Sequence, residues 1–161
     1  MTVGIRPARP QDAEAIAALA RDLNIHVGSD SHGFEADDVR RDGFGKDPAF
    51  EVIVAEQDGA VVGYTLLHPS YESGWGARGV FMADLFIAEA ARGGGIGRRL
   101  VQAAARRTRE KGGRYMCWVT DTDNAEARAF YKRLGAKEET IVECHVADEA
   151  LDALVDAEIS S

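Results

Sequence analysis

The stretch Arg92-Gly93-Gly94-Gly95-Ile96-Gly97 constrains this chain more than any other. It closely follows an apolar, strand-like run at 80–87 and leads straight into an amphipathic segment at 97–111. Three consecutive glycines remove every Cβ from a strand-to-helix turn. The backbone there can take dihedrals closed to other residues and come close to a ligand. At the start of a helix the N–H groups have no partner within the helix and the dipole is positive, which suits a phosphate or pyrophosphate. Arg92, Arg98 and Arg99 add charge beside it.

The kind of phosphate ligand can be narrowed. A Walker loop ends in Gly-Lys followed by Ser or Thr, but here Arg98 and Arg99 follow Gly97. A dinucleotide fingerprint, GxGxxG, fails in both frames. From Gly93 it needs glycine where Arg98 stands, and from Gly95 it needs glycine where Leu100 stands. What remains is RxxGxG, met by Arg92, Gly95 and Gly97.

The rest of the chain reads as alternating elements around this turn. Residues 3–6 form a short strand. Pro10 opens a helix with Asp12 and Glu14 in its first turn, where the dipole favours acids. Ile16, Leu19, Ala20 and Leu23 give that helix one apolar face. Residues 27–33 are loop-like, and 36–44 predict a second, short helix. A strand at 50–56, an Asp58-Gly59 hairpin turn and a return strand at 61–68 follow. Residues 70–79 read as a polar, Gly-rich loop carrying Trp75. After the 97–111 helix, stopped by Gly112-Gly113, come a strand at 114–120 and a helix at 124–134. Asp123 and Glu126 have capping-box spacing at that helix start. A last strand is expected at 140–146, and 148–161 is an acidic tail that either forms a short helix or frays. Strands first and alternation later predict an α/β (α+β) fold, a mixed sheet with helices on both faces.

Bulk properties exclude several functions. The 161 residues suit a single domain, 1–161. No apolar run approaches the roughly 18 residues of a membrane helix, and the N-terminus has no signal-peptide core. The expected location is cytoplasmic, with no membrane partner. A net charge of −8 argues against nucleic acid, whose phosphates need a positive field. Cys117 and Cys144 belong to no CxxC pair and sit in apolar runs, so two buried free thiols are expected. The histidines, His26, His32, His68 and His145, show no HxxxH spacing, and no metal is implied.

The glycine turn is followed, at a suitable distance, by Asn124, Ala127, Phe130-Tyr131 and Leu134-Gly135. Strand-RxxGxG-helix, then strand-N-helix-FYxxLGA, resembles the GNAT acetyltransferase superfamily, as does the opening Ile5-Arg6-Pro7-Ala8-Arg9-Pro10. Arg9 departs from that pattern, standing where a capping Ser or Thr is common. Arg41-Asp42-Gly43-Phe44-Gly45, Val54-Ala55-Glu56, Ala83-Asp84-Leu85-Phe86-Ile87 and Phe130-Tyr131-Lys132-Arg133 resemble the diamine (spermidine/spermine-type) branch. The resemblance spans about residues 3–147. It implies a GNAT fold with a mostly antiparallel sheet and acetyl-CoA as co-substrate. It also implies a primary amine of a small molecule as acceptor, diamine, polyamine or amino-acid-like, and a homodimer. Ala83 replaces an acid expected in that branch, and Asn24-Ile25-His26-Val27 lacks one, which argues against a polyamine.

Residue by residue, the resemblance implies that Leu85, Phe86 and Ile87 line coenzyme A through their main chain. Gly93, Gly94, Gly95, Ile96, Gly97 and Arg98, with Arg92, hold its pyrophosphate. Asn124 and Ala127 meet the pantetheine arm, and Tyr131 protonates the departing thiolate. Asn124 and Tyr131 lie two helical turns apart, on one face. Asp84 interrupts an apolar strand, and a buried carboxylate is costly unless paired. It is expected either to serve the acceptor amine or to bond a neighbouring loop amide. Glu72, Asp30 and Glu35 are loop acids expected either to meet a cationic acceptor or to be solvated. His26 and His32, in the loop that flanks the acceptor site in a GNAT fold, are either a base or exposed loop histidines. Tyr71 and Trp75 are expected to cover the acceptor site or to cap the core. Two alternatives stay open: a protein N-terminal or lysine acetyltransferase, and a non-catalytic acyl-CoA-binding sensor.

Overall fold

A computed structural model describes residues 2–30 and 33–157, which group into two compact units, the first ending in sequence at Val119 and the second beginning at Thr120. His32 lies outside the described residues.

The first unit is built on a five-stranded sheet in the order β1-β2-β3-β4-β5. Its strands are β1 (Val3–Pro7), β2 (Glu51–Gln57), β3 (Ala60–Glu72), β4 (Ala77–Ile87) and β5 (Tyr115–Cys117). All neighbours are antiparallel except β4 and β5. Helices α1 (Ala13–His26) and α2 (Ala36–Phe44) follow β1, and α3 (Ile96–Glu110) joins β4 to β5. The mixed sheet with helices on both faces is as the sequence predicts.

Each helix buries the face its periodicity marks. Ala13, Ile16, Ala17, Leu19 and Ala20 of α1 and Val39 of α2 pack on Val52, Val54, Tyr64, Leu66 and Phe86 of the sheet. Ile96, Leu100, Val101, Ala104 and Thr108 of α3 are buried separately. Adjacent strand residues point to opposite faces, so Leu67, next to Leu66, is buried on the α3 side. Asp58 and Gly59 both have positive φ, 51° and 82°, the signature of the twisted two-residue hairpin turn that the Asp-Gly pair predicts.

Pro10 opens a short 3₁₀ turn, Pro10–Asp12, ahead of α1. Arg9 supplies no side-chain cap. Instead Asp12 reaches back and accepts from the Arg9 backbone N–H at 2.7 Å, and also takes two bonds from the Arg6 guanidinium at 2.7 and 3.0 Å. The missing cap is thus replaced from inside the helix start.

On the other face, Glu51 at the start of β2 accepts from Arg107 at 2.7 and 2.9 Å and from Lys111 at 3.0 Å. These cations, Arg107 first, hold its carboxyl down at about 2 against an ordinary 4.5. The ionised form therefore contributes stability above about pH 4.5 that is lost as pH falls through about 2. The site is partly exposed, so solvent screening limits the effect to about 1 kcal/mol or less. Urea midpoints of the parent chain and Glu51→Gln should differ at neutral pH and converge below about pH 2.

Two expectations for this unit need correction. The expected loop at 70–79 is mostly strand. Ser70 pairs Gly79 and Glu72 pairs Ala77, and only the turn Ser73–Trp75 with Gly76 remains between β3 and β4. Polar residues misled because a two-stranded extension with exposed faces tolerates them. The strand expected at 114–120 is only Tyr115–Cys117. A Cβ at Gly79 would lie 2.4 Å from the Tyr115 ring, so glycine sets how closely β4 and β5 approach there. Gly79→Ala should cost about 1–3 kcal/mol by overpacking, read as a lowered denaturation midpoint.

The second unit, from Thr120 onward, holds α4 (Ala125–Arg133) and α5 (Asp148–Asp156). Asn124, not Asp123, caps α4, its Oδ1 accepting from the Ala127 N–H at 3.1 Å. The strand expected at 140–146 is absent. An isolated apolar run has no ladder to join without a neighbouring strand, and Ile141 and Val142 stand 67% and 87% exposed. Cys144, in that run, is exposed rather than buried; Cys117 is half-buried, and both are free. The acidic tail forms α5, with Leu151, Leu154 and Val155 exposed.

Candidate active site

The strand before the glycine turn leaves the sheet on one side. β5 pairs only Gly79, Val80 and Phe81 of β4, while β4 continues to Ile87. Residues 82–87 therefore present an edge that β5 does not cover. The Ala88 N–H bonds to the Val62 carbonyl at 2.8 Å, toward β3. Backbone groups alternate sides along a strand, so those of Leu85 and Ile87 turn to the uncovered edge. The Ile87 carbonyl is taken there by Arg92 Nε at 3.0 Å.

A bulge sets which side chains β4 shows to which helix. Leu66 pairs Asp84, but Leu67 pairs Met82, so Ala83 is the extra residue. Without it, Asp84 and Phe86 would share a face with Met82, on the α3 side. With it they lie on the α1 side, opposite Leu66 and Tyr64. The position where an acid was expected is thus the bulged residue itself, and Ala83 is exposed.

Asp84 is held from β3 at two atoms. The Tyr64 hydroxyl donates to its Oδ2 at 2.8 Å, and the Thr65 hydroxyl donates to its backbone carbonyl at 2.8 Å. Burial holds the Asp84 carboxyl above the ordinary carboxylate range, and the Tyr64 bond offsets part of that rise. Of the two roles weighed for Asp84, the bond to a loop amide is not what forms; the partner is a strand tyrosine. Sequence reading missed Tyr64 and Thr65. The available signal was that an acid in an apolar strand needs a partner, but only the bulged register says which residues reach it.

After β4, a 3₁₀ turn, Glu89–Ala91, leads to Arg92. Gly93 and Gly95 follow with φ of 88° and 73°, and Gly95 is the N-cap of α3. No atom would lie within 4 Å of a Cβ added at Gly93, Gly94 or Gly95, so the turn is open on its outer side. Buried Ile96 anchors it to the core. The Arg92 guanidinium lies over the Phe86 ring, 5.3 Å from its centroid. Arg99 donates to the Val3 carbonyl at 2.8 Å. Arg98 is exposed.

In the second unit, Asn124 uses Oδ1 to cap α4, which leaves its amide N–H groups for a ligand. Ala127 supplies the capped N–H. Tyr131 is half-buried, its ring tilted against Phe130 at 5.3 Å. Burial pushes its hydroxyl above the usual phenol range. The helix ends at Gly135, φ 89°.

Other candidates have local duties. Glu72 accepts from the Gly74 N–H at 3.0 Å and closes the β3–β4 turn. Glu35 pairs with Arg21, and Asp30 is exposed. Tyr71 and Trp75 are exposed; Trp75 meets Tyr115 edge-on at 5.4 Å, bracing the hairpin tip against β5. His26, at the end of α1, packs a tilted ring against Phe86, 6.2 Å away. His68 stacks on Phe81 at 5.0 Å.

Comparison with known proteins decides what this arrangement is. The acetyltransferase (GNAT) family profile matches residues 14–136. The chain belongs to the GNAT family. It is an N-acetyltransferase, and the uncovered β4 edge and glycine turn are the parts of that fold that the sequence pointed to. This GNAT chain is 33% identical over 150 residues to the thialysine N-epsilon-acetyltransferase of Bos taurus, covering 88% of each. It is 30% identical over 114 residues to an L-ornithine N5-acetyltransferase of Arabidopsis thaliana, covering 68% of this chain and 49% of that protein. Among solved structures, an integron cassette protein from V. cholerae superposes with a TM-score of 0.80 at 22% identity, covering 98% of this chain and 99% of the other, and shows the shared fold.

Proposed function

We propose that this acetyltransferase moves the acetyl group of acetyl-CoA to a primary amine of a small, amino-acid-like molecule. The observation that carries the cofactor half is the uncovered edge of β4 running into an open glycine turn at a helix N-terminus. Backbone N–H groups at that turn suit a pyrophosphate, with Arg98 beside them. The edge N–H groups of Leu85 and Ile87 suit the pantetheine amides and the thioester oxygen. The acceptor half is supported by the relatives, whose names specify thialysine and ornithine.

The chemistry sets what the side chains must do. A free alkylamine has a pKa near ~10 and must lose a proton before it attacks the thioester. Asp84, held at one oxygen by Tyr64, is the acid placed to orient the ammonium and take its proton through water. As the new N–C bond forms, the oxyanion is stabilised by β4 backbone N–H groups. The C–S bond then breaks, and Tyr131, kept protonated by its burial, gives its proton to the thiolate. The reading includes a homodimer, supported by the resemblance to the diamine branch and by the exposed apolar run around Ile141 and Val142.

The acceptor is tested by comparing kcat/KM for thialysine, ornithine, spermidine and a basic peptide. Preference for the two amino acids supports the reading. Preference for spermidine would show that acids other than one at Ala83 hold a polyamine, and preference for the peptide would replace the small-molecule reading.

A further inference from the structure

Tyr64 is among the largest fully buried side chains of the first unit, yet its polar end is spent on a single atom, Oδ2 of Asp84. A phenylalanine would fill the same space in the apolar α1 face, so packing does not call for the hydroxyl. The neighbouring Thr65, also fully buried, gives its hydroxyl to the Asp84 carbonyl. Consecutive residues of β3, pointing to opposite faces, thus grip one residue of β4 immediately after its bulge. Among the described residues no buried side-chain nitrogen or oxygen lacks a hydrogen-bond partner. Oδ1 of Asp84 takes no part in the Tyr64 bond and is therefore the oxygen left open to solvent and to a ligand.

The geometry points to Tyr64 as a positioning residue: its hydroxyl fixes Asp84 at Oδ2 so that Oδ1 alone meets the amine of the acceptor. The inference rests on the reading that Asp84 serves the acceptor. Two opposing influences act on this carboxyl. Burial favours the neutral acid, and the donated hydrogen bond favours the anion. Thr65 adds no influence on the carboxyl, since it bonds the main chain. Among the described residues, the other titratable or charged groups placed on this face are His26 from α1 and Arg92 from the turn after β4, both packed on Phe86, and Arg6, which lies across Val54 from Tyr64 and is bonded to Asp12 and Glu56. Removing the Tyr64 hydroxyl leaves burial unopposed, so the carboxyl should hold its proton to higher pH. A single bond from a neutral donor to a charged acceptor should move it by about one unit.

Two readouts on Tyr64→Phe separate this inference from the function on which it rests. The first is the titration of the Asp84 carboxyl followed by carbon-detected NMR, which needs no turnover. The second is the pH profile of kcat/KM for the acceptor, with the acetyl-CoA Kd measured alongside. The expected result is an Asp84 titration raised by about one unit in Tyr64→Phe, with the acidic limb of the profile raised equally and the acetyl-CoA Kd unchanged. Addition of Asp84→Asn should abolish the shift of the limb. An unmoved carboxyl titration would overturn the role of Tyr64. A moved titration with an unmoved limb would show that Asp84 does not serve the acceptor, leaving the transferase reading intact. Loss of the limb in His26→Gln, with Asp84 titrating elsewhere, would assign the limb to His26 and likewise overturn the inference. If Tyr64→Phe fails to fold, the parent chain still decides: an Asp84 titration that does not coincide with the acidic limb contradicts the proposal, and one that does supports it.

Discussion

Tyr131→Phe is expected to lower kcat by about 10²–10⁴-fold, the usual contribution of a positioned general acid, with the acetyl-CoA Kd close to its parent value. The change removes one oxygen and leaves the ring that packs against Phe130. Burial keeps the Tyr131 hydroxyl protonated well past neutral pH, so the group is in the form an acid needs throughout the working range. An interaction made only as the thiolate departs should reduce kcat and kcat/KM together. Stopped-flow thiol release and calorimetric binding read the two halves separately. Full turnover by the variant would remove Tyr131 from the chemistry and reduce it to a half-buried aromatic.

Gly95→Val should raise the acetyl-CoA Kd by about 10- to 100-fold. Gly95 sits at φ 73° as the N-cap of α3. A β-branched residue is a genuine outlier there, and such strain costs of order 1–3 kcal/mol, at ~1.4 kcal/mol per decade of affinity. No protein atom would lie within 4 Å of the new Cβ, so a clash with the chain itself does not explain a loss. Either the backbone leaves the left-handed region and its N–H groups turn away, or the side chain occupies the space the pyrophosphate needs. Calorimetry gives the Kd, and a nearly unchanged thermal midpoint separates lost binding from lost folding. Tight binding by this variant would contradict the turn as the anion site.

Much of this was legible in the residues because local chemistry decided it. The Asp58-Gly59 turn, the α2 boundaries and the open glycine turn follow from conformational preferences that act over a few residues. The candidate residues of β4 were legible from one apolar run broken by Asp84. Their orientation was not. It depends on a single extra residue, Ala83, and a bulge carries no sequence signature beyond its pairing partner. For the same reason Tyr64, some 20 residues earlier in sequence, could not be named. The end of β3 was misread because exposed strand residues such as Ser70 and Glu72 look like loop residues. The strand expected at 140–146 failed for the converse reason. Ile141, Val142 and Val146 have strand-like composition, but pairing is a property of two segments, and among the described residues none pairs with this run. The roles of Asn124 and Tyr131 came from the motif resemblance rather than from periodicity, which marks only their shared face of α4.

The most direct test of the central claim is a single incubation of the purified chain with acetyl-CoA and thialysine, following free thiol and N-acetylated amine together. The account predicts equal amounts of both, growing with time and dependent on the amine. Acetyl-CoA bound with no thiol released, for thialysine, ornithine, spermidine and a basic peptide alike, would contradict it and leave a protein that holds the thioester without transferring its acetyl group.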